Sequence, residues 1–245
     1  MNKNKNESIY PIRLQSYLAK CGVCSRRKAE EFIRNGLVTI NNKIIINPAE
    51  KVNEIDAVYC NNQYIEPMDP IYVALNKPKG YVCTNSDPHE ELFARDLISI
   101  PEQKSLFHVG RLDKDSTGLI FYTNDGDFAN SVAHPSFGIE KEYIVRTKEK
   151  LDKKDLLTTV KGIHIQNTFY KIERYKIINS RTVSMVLLEG KNREIRKIMD
   201  HIGYKILSLT RIRIGPIEIG ALNTGYFRFI KKKEMTQLLS KVVKK

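Results

Sequence analysis

The sequence predicts an α+β protein in which a small, partly helical N-terminal module precedes a larger domain with a mixed, largely antiparallel sheet and flanking helices. Three observations carry this expectation. Two helical patterns within residues 14–36 lead into short strand-like runs, and a Pro-interrupted polar stretch, EPMDP at 66–70, follows them. Beyond it, apolar runs of strand length are interspersed with helical segments rather than alternating with them regularly. The expected division is a disordered N-terminus over 1–10, a first module over 11–68 and a second domain over 69–245.

Each element has a local reason. Leu14, Tyr17, Leu18 and Cys21 recur at helical spacing, and Gly22 supplies a stop. Ser25 is an N-cap for a second helix, RRKAEEFIRNG, which turns Ala29, Phe32 and Ile33 inward and ends at Gly36. VTI, the turn NNK, III and a run near AVYCN complete the module as small strands. In the second domain IYVALN reads as a buried strand ended by KPKG, and LIFYT at 119–123 as another, followed by the turn NDG and a helix DFANSVA that His134-Pro135 ends. YIVRT, VSMVLL and KILSLTRIRI are further strands, with helical patterns at 151–160 and 192–202 between them. A basic helix, KKKEMTQLLSKVVKK, closes the chain.

Composition narrows the classes of function. The 245 residues hold 41 basic and 28 acidic side chains, a net charge of +13, which points to a polyanion and most often to nucleic acid. The first 70 residues contain ten basic and eight acidic side chains, so most of the excess belongs to the second domain. No apolar run reaches the roughly 18 residues of a membrane span, and MNKNKNESIY lacks the apolar core of a secretory signal, so a cytoplasmic protein without membrane contact is expected. Cys21-Gly-Val-Cys24 has no second ligand pair to complete a zinc site, so neither metal nor cofactor is expected.

Three segments stand out as candidates for chemistry. GRLDKDSTGL, at 110–119, places a polar loop at the edge of a sheet between LFHV and LIFYT. Asp113 and Asp115 alternate in direction if the segment is extended, so they are not a paired acid and base of the glycosidase kind. Asp113 is the better single candidate, because Leu112 and the next strand partly desolvate it while Lys114 and Asp115 face water. In EKEYIV, Tyr143 opens a strand and offers a face on which a base can stack. EGKNREIRKIM, at 189–199, gives a basic helix start with Lys191, Arg193, Arg196 and Lys197, suited to a phosphate or to bidentate capture of a carboxylate.

Residues 13–41, with the pattern R-L-x-x-Y-L-A-x-x-G-x-x-S-R-R-x-A-E-x-x-I-x-x-G-x-V-x-I-N, resemble the alpha-L RNA-binding domain. The three segments above, together with NKPKGY at 76–81, TNDG at 123–126 and RIRIGP at 211–216, resemble the bacterial ribosomal RNA pseudouridine synthases of the RsuA and RluB type over nearly the whole chain. The resemblance implies the pseudouridine synthase fold and a cofactor-free isomerisation of uridine, with Asp113 as the essential carboxylate, Tyr143 stacked on the flipped base and Arg196 paired with Asp113. It also implies RNA contacts at Arg13, Ser25, Arg26, Arg27, Lys28, Lys77, Arg111, Lys141, Lys191, Asn192 and Arg193.

The substrate expected on the same basis is large-subunit ribosomal RNA, free or in an assembly intermediate, acted on by a monomer. The alternatives are a small-subunit enzyme, a non-catalytic ribosome-assembly factor, and a hydrolase using Asp113 and Asp115.

Overall fold

The computed structural model describes residues 10–84 and 89–241. The stretch expected to be disordered, 1–10, lies outside the described residues except for Tyr10. The chain divides into two compact units, Met1–Pro70 and Ile71–Lys245.

The first unit runs β1 (Ile12–Arg13), α1 (Leu14–Lys20), α2 (Arg26–Arg34), β2 (Val38–Ile40), β3 (Lys43–Ile45), β4 (Lys51–Val52), β5 (Val58–Cys60) and β6 (Gln63–Tyr64). Gly22 follows α1 at φ +71°, the left-handed conformation that ends a helix, and the Ser25 side chain accepts the Lys28 N–H at 3.3 Å to cap α2. Strands β3, β2, β5 and β6 form an antiparallel sheet, while β1 pairs with β4. Asn41-Asn42 and Asn61-Asn62 both have positive φ, as two-residue hairpin turns require. The second of these pairs was the available signal for β6, which the sequence reading did not include. Leu14, Leu18, Ala29 and Ile33 bury the inner faces of α1 and α2 against Val38, Val52 and Val58.

The second unit runs β7 (Tyr72–Lys77), β8 (Phe107–Val109), β9 (Thr117–Thr123), α3 (Gly126–Ala133), β10 (Lys141–Thr147), α4 (Lys153–Lys161), β11 (Ile163–Ile165), β12 (Thr168–Tyr170), β13 (Arg174–Asn179), β14 (Thr182–Leu187), α5 (Glu194–His201), β15 (Ile206–Ile214), β16 (Ile217–Glu218), β17 (Phe227–Phe229) and α6 (Lys232–Ser240). Its main sheet has the order β13-β14-β10-β15-β9-β7-β17, with β16 beside β15 and β8 beside β9. Every pair in it is antiparallel except β15 with β9.

Each face of this sheet has its own core. Leu75, Ile120, Val145, Met185 and Leu156 of α4 pack with Ile195, Ile198 and Met199 of α5. Ala74, Leu119, Phe121 and Ile214 pack with Phe128 and Val132 of α3 and with Leu238 of α6. The sheet is thus mixed and largely antiparallel, with helices on both faces.

Several elements depart from expectation. β13 and β17 were not expected, since RYKIIN is mostly exposed and FRF is a three-residue strand at the end of the sheet order. Tyr143 does not open its strand; β10 starts at Lys141, because Lys141 and Glu142 already pair with β14 and β15. Gly118 was expected to end the polar loop, yet it lies inside β9 with φ +102°. A Cβ there would overlap the backbone carbonyl of Arg211, so the parallel contact between β9 and β15 requires glycine.

Candidate active site

The loop between β8 and β9 is held from below. Lys77, at the end of β7, is fully buried, and its Nζ donates to the carbonyls of Ser116 at 2.8 Å, Pro78 at 2.9 Å and Lys114 at 3.4 Å. Burial pushes its pKa below the usual lysine value, while the negative charges of Asp113 and Asp115 act in the opposite direction. Gly80 N–H donates to the Lys114 carbonyl at 2.9 Å, and Ser116 N–H closes the turn onto the Asp113 carbonyl at 3.0 Å. The Cys83 thiol donates to the Leu112 carbonyl at 3.2 Å and accepts its N–H at 3.4 Å. Leu112 is therefore buried, Lys114 and Asp115 face solvent, and Asp113 is one-third exposed at the loop's crest.

Two guanidinium groups approach Asp113 from the start of α5. Arg196 Nε lies 3.6 Å and Arg193 Nη1 3.7 Å from Asp113 Oδ2, distances of ion pairs rather than hydrogen bonds. Arg196 is anchored by its Nη2, which donates to the Asp115 carbonyl at 3.3 Å and to Ser116 Oγ at 3.2 Å. Its buried Nε makes no hydrogen bond, so one directional donor remains beside the carboxylate. Arg193 takes a left-handed backbone conformation, φ +52°, at the N-cap of α5. Glu194 supports that bend: its carboxylate accepts the Lys191 N–H at 2.9 Å, and its own N–H donates to the Lys191 carbonyl.

Tyr143 is 9% exposed, with its ring 5.9 Å from the Arg211 guanidinium. Arg211 is itself buried; its Nε donates to the Leu119 carbonyl at 2.6 Å and its Nη1 to the Tyr143 hydroxyl at 3.4 Å. The sequence reading placed Arg211 in a motif but assigned it no role. An arginine within the apolar run ILSLTRIRI was the signal, because a charge in a central strand must be satisfied by specific partners. Its Nη2 has no hydrogen-bond partner.

Asp113, Arg193 and Tyr143 line one cleft of about 570 Å³ together with Arg111, Asn192 and Leu209, while Arg196 and Arg211 touch its lining residues from behind. That size suits a small-molecule or nucleoside-sized group. His108 also lines it, and its Nδ1 donates to the Gly110 carbonyl at 2.9 Å, while burial lowers its pKa. The arrangement offers one carboxylate, two adjacent cations and an aromatic surface, which suits attack on, or stabilisation of, an electron-poor carbon beside a planar ring.

Of the residues expected to meet RNA, Arg13, Arg26, Arg27, Lys28, Arg111, Asn192 and Arg193 are exposed. Lys28 also pairs with Glu31, and the Ser25 hydroxyl is engaged as a helix cap. Lys191 is partly exposed, pairs with Glu189 and donates to the Phe169 carbonyl. Lys77 and Lys141 correct the expectation: both are buried and present no ammonium to a polyanion. Lys77 serves loop carbonyls, whereas Lys141 donates to the Ile139 carbonyl at 3.2 Å. Desolvation, with help from the Arg211 charge and against that of Glu194, lowers the Lys141 pKa to about 8.

Residues 71–201 match the family described as RNA pseudouridylate synthase, and residues 12–58 match the S4 domain. An uncharacterized RNA pseudouridine synthase of Borreliella burgdorferi is 37% identical, covering 95% of each chain. The ribosomal large subunit pseudouridine synthase B of Bacillus subtilis is 31% identical over 92% of this chain and 95% of its own. The dual-specificity RNA pseudouridine synthase RluF of Escherichia coli is 34% identical over 93% of this chain and 78% of its own. A crystal structure of a pseudouridylate synthase shares the fold, with a TM-score of 0.69 at 24% identity, covering 93% of this chain and 99% of that one.

Proposed function

The chain belongs to the RNA pseudouridylate synthase family and carries an S4 domain, and from that premise we propose that it isomerises a uridine of large-subunit ribosomal RNA with Asp113 as the reacting carboxylate. The observation that carries this reading is the placement of Asp113, beside Arg193 and Arg196, in a nucleoside-sized cleft that Tyr143 also lines. The B. subtilis relative, named for the large subunit, favours that RNA. Ribosomal RNA as substrate goes with a cytoplasmic enzyme, and we read it as acting as a monomer.

The reaction breaks the bond between N1 of uracil and C1′ of ribose, rotates the base, and forms a bond from C5 to C1′. The C5 proton leaves, a proton is gained at N1, and no electrons are exchanged. The target base first leaves its stack, at a cost of a few kcal/mol that the cleft must offset. Tyr143 provides a stacking surface, and Arg211 fixes the direction of its hydroxyl. Asp113 attacks C1′, stabilises the cation formed there, or removes a ribose proton; each route needs the carboxylate at the loop crest. Arg196 orients that carboxylate, with its Nη2 holding the Asp115 carbonyl and the Ser116 hydroxyl, two and three residues further along.

The test is to incubate unmodified transcripts of both ribosomal RNAs with the protein and to map pseudouridine in each. New pseudouridine in the large-subunit transcript is the expected result. Modification of the small-subunit transcript alone would reassign the substrate, and modification of neither transcript nor of subunits assembled in cells lacking the protein would refute the reading.

A further inference from the structure

β10 passes the cleft at Tyr143 and ends at Thr147, where a second concavity of about 780 Å³ opens among Arg146, Lys148, Asn179, Ser180, Arg181 and Leu207. Its frame is backbone. Thr147 N–H donates to the Arg181 carbonyl at 2.9 Å, Lys148 N–H to that of Lys205 at 2.9 Å, and Leu151 N–H to that of Ser180 at 2.8 Å. Arg181 N–H donates to Asn179 Oδ1 at 3.0 Å. Register shifts fall on both sides, between Arg146 and Thr147 against β15 and between Ile177 and Asn179 against β14. Such bulges break the alternation of a strand and re-aim its side chains.

The three cations of this concavity are exposed and, among the described residues, none forms an ion pair. Their neighbours in the same unit behave differently: Arg174 and Arg213 bind Glu140, and Arg228 binds Glu234. Glu149, beside Lys148 in sequence and within its field, is engaged by the Lys205 N–H at 2.8 Å. Three exposed cations outside any ion pair among the described residues, on a hydrogen-bonded frame and next to an amide, a hydroxyl and the 59% exposed Leu207, suit an extended anion with apolar faces. A nucleic-acid strand has that chemistry, with phosphates for the cations and a ribose or base for the leucine. Arg146 lies three residues beyond Tyr143, roughly 10 Å along the strand and on the opposite face of β10, so RNA flanking the target nucleotide meets it after passing round the end of the sheet.

We infer that Arg146, Lys148 and Arg181 form a second RNA-backbone site that binds the strand flanking the modified uridine. This rests on the reading that the cleft accepts a uridine in RNA. The test is the full-length variant carrying Arg146→Gln, Lys148→Gln and Arg181→Gln, assayed on a long ribosomal RNA fragment and on a stem-loop too short to leave the cleft. Each lost phosphate contact lowers the salt slope of log affinity by about 0.7–0.9, so a total fall of roughly 2–3 is expected on the long RNA. The apparent KM should rise about tenfold or more there, with kcat at saturation and all constants for the stem-loop unchanged. An unchanged slope and KM on the long RNA, or equal losses on both RNAs, would overturn the inference. Binding is measured apart from turnover, so a wild-type protein without isomerase activity would refute the reading of the cleft and leave this outcome readable.

Discussion

Among the described residues no donor lies within hydrogen-bonding distance of the Asp113 carboxylate, yet two guanidinium groups stand within 4 Å of it, and only one is anchored to the loop that carries it. Arg196→Gln removes the anchored charge and should lower kcat by about 10²–10³ with a smaller effect on KM, the scale seen when one electrostatic donor is lost from an active site. Arg196→Lys keeps a charge but not the planar fork, so its kcat should fall between the two. A glutamine variant with wild-type kcat would remove Arg196 from the mechanism.

Lys141 gives a pH-dependent prediction. Its pKa is lowered from 10.5 to about 8, so below pH 8 the folded protein bears the cost of a buried ammonium, and that cost disappears as pH rises towards 10.5. Lys141→Met should therefore be more stable than wild type at pH 7, by an amount on the order of 3 kcal/mol before other losses, with the gain shrinking by pH 10. Urea unfolding at both pH values measures this; a difference independent of pH would contradict it.

The closeness of Arg196 to Asp113, and the place of Tyr143 on the same cleft as Asp113, were expected from motifs that resemble the family's, not from periodicity or composition. Lys77 and Lys141 were misread because a lysine in a motif looks the same whether its ammonium meets phosphate or a buried carbonyl. The proximity of Arg193 to Asp113 depends on a left-handed residue at the N-cap of α5, which no periodicity announces.

At the scale of elements, the Asp113 loop is positioned by β7, β9 and β15 together. Gly118→Ala would force a Cβ into the Arg211 backbone and also place alanine at φ +102°, so a loss of at least about 2 kcal/mol is expected, read as a lower melting temperature. Lys77→Met removes the ammonium that ties the Lys114 and Ser116 carbonyls of this loop to that of Pro78; kcat should fall about tenfold or more while RNA affinity is largely kept. Wild-type kcat in that variant would mean the loop needs no such support. Strands buried on both faces, such as β7, β9 and β14, were readable as apolar runs. β13 and β17 were not, because exposed or very short strands take their pairing from neighbours that the local sequence does not specify.

For the whole molecule, the net charge of +13 falls mainly in the unit that holds the cleft, while the first unit displays Arg26 and Arg27 at the exposed start of α2. Replacing both with Gln should raise the apparent KM several-fold and leave the single-turnover rate at saturating RNA unchanged, the pattern of lost capture rather than lost chemistry. A fall in the saturated rate would instead tie the first unit to the chemical step. The motif of residues 13–41, with arginines at the start of its second helix, made an RNA-binding module legible. The concavity at the end of β10 was not, since Arg146, Lys148 and Arg181 come together only through the pairing of three strands.

The central claim is that Asp113 performs the isomerisation, and release of the C5 proton from uridine-labelled ribosomal RNA tests it most directly. With tritium at C5, the wild-type protein should release label in step with pseudouridine formation. Asp113→Asn should release none while retaining the wild-type melting temperature and RNA affinity. Turnover by the folded, RNA-bound Asp113→Asn variant at a rate near wild type would contradict the account.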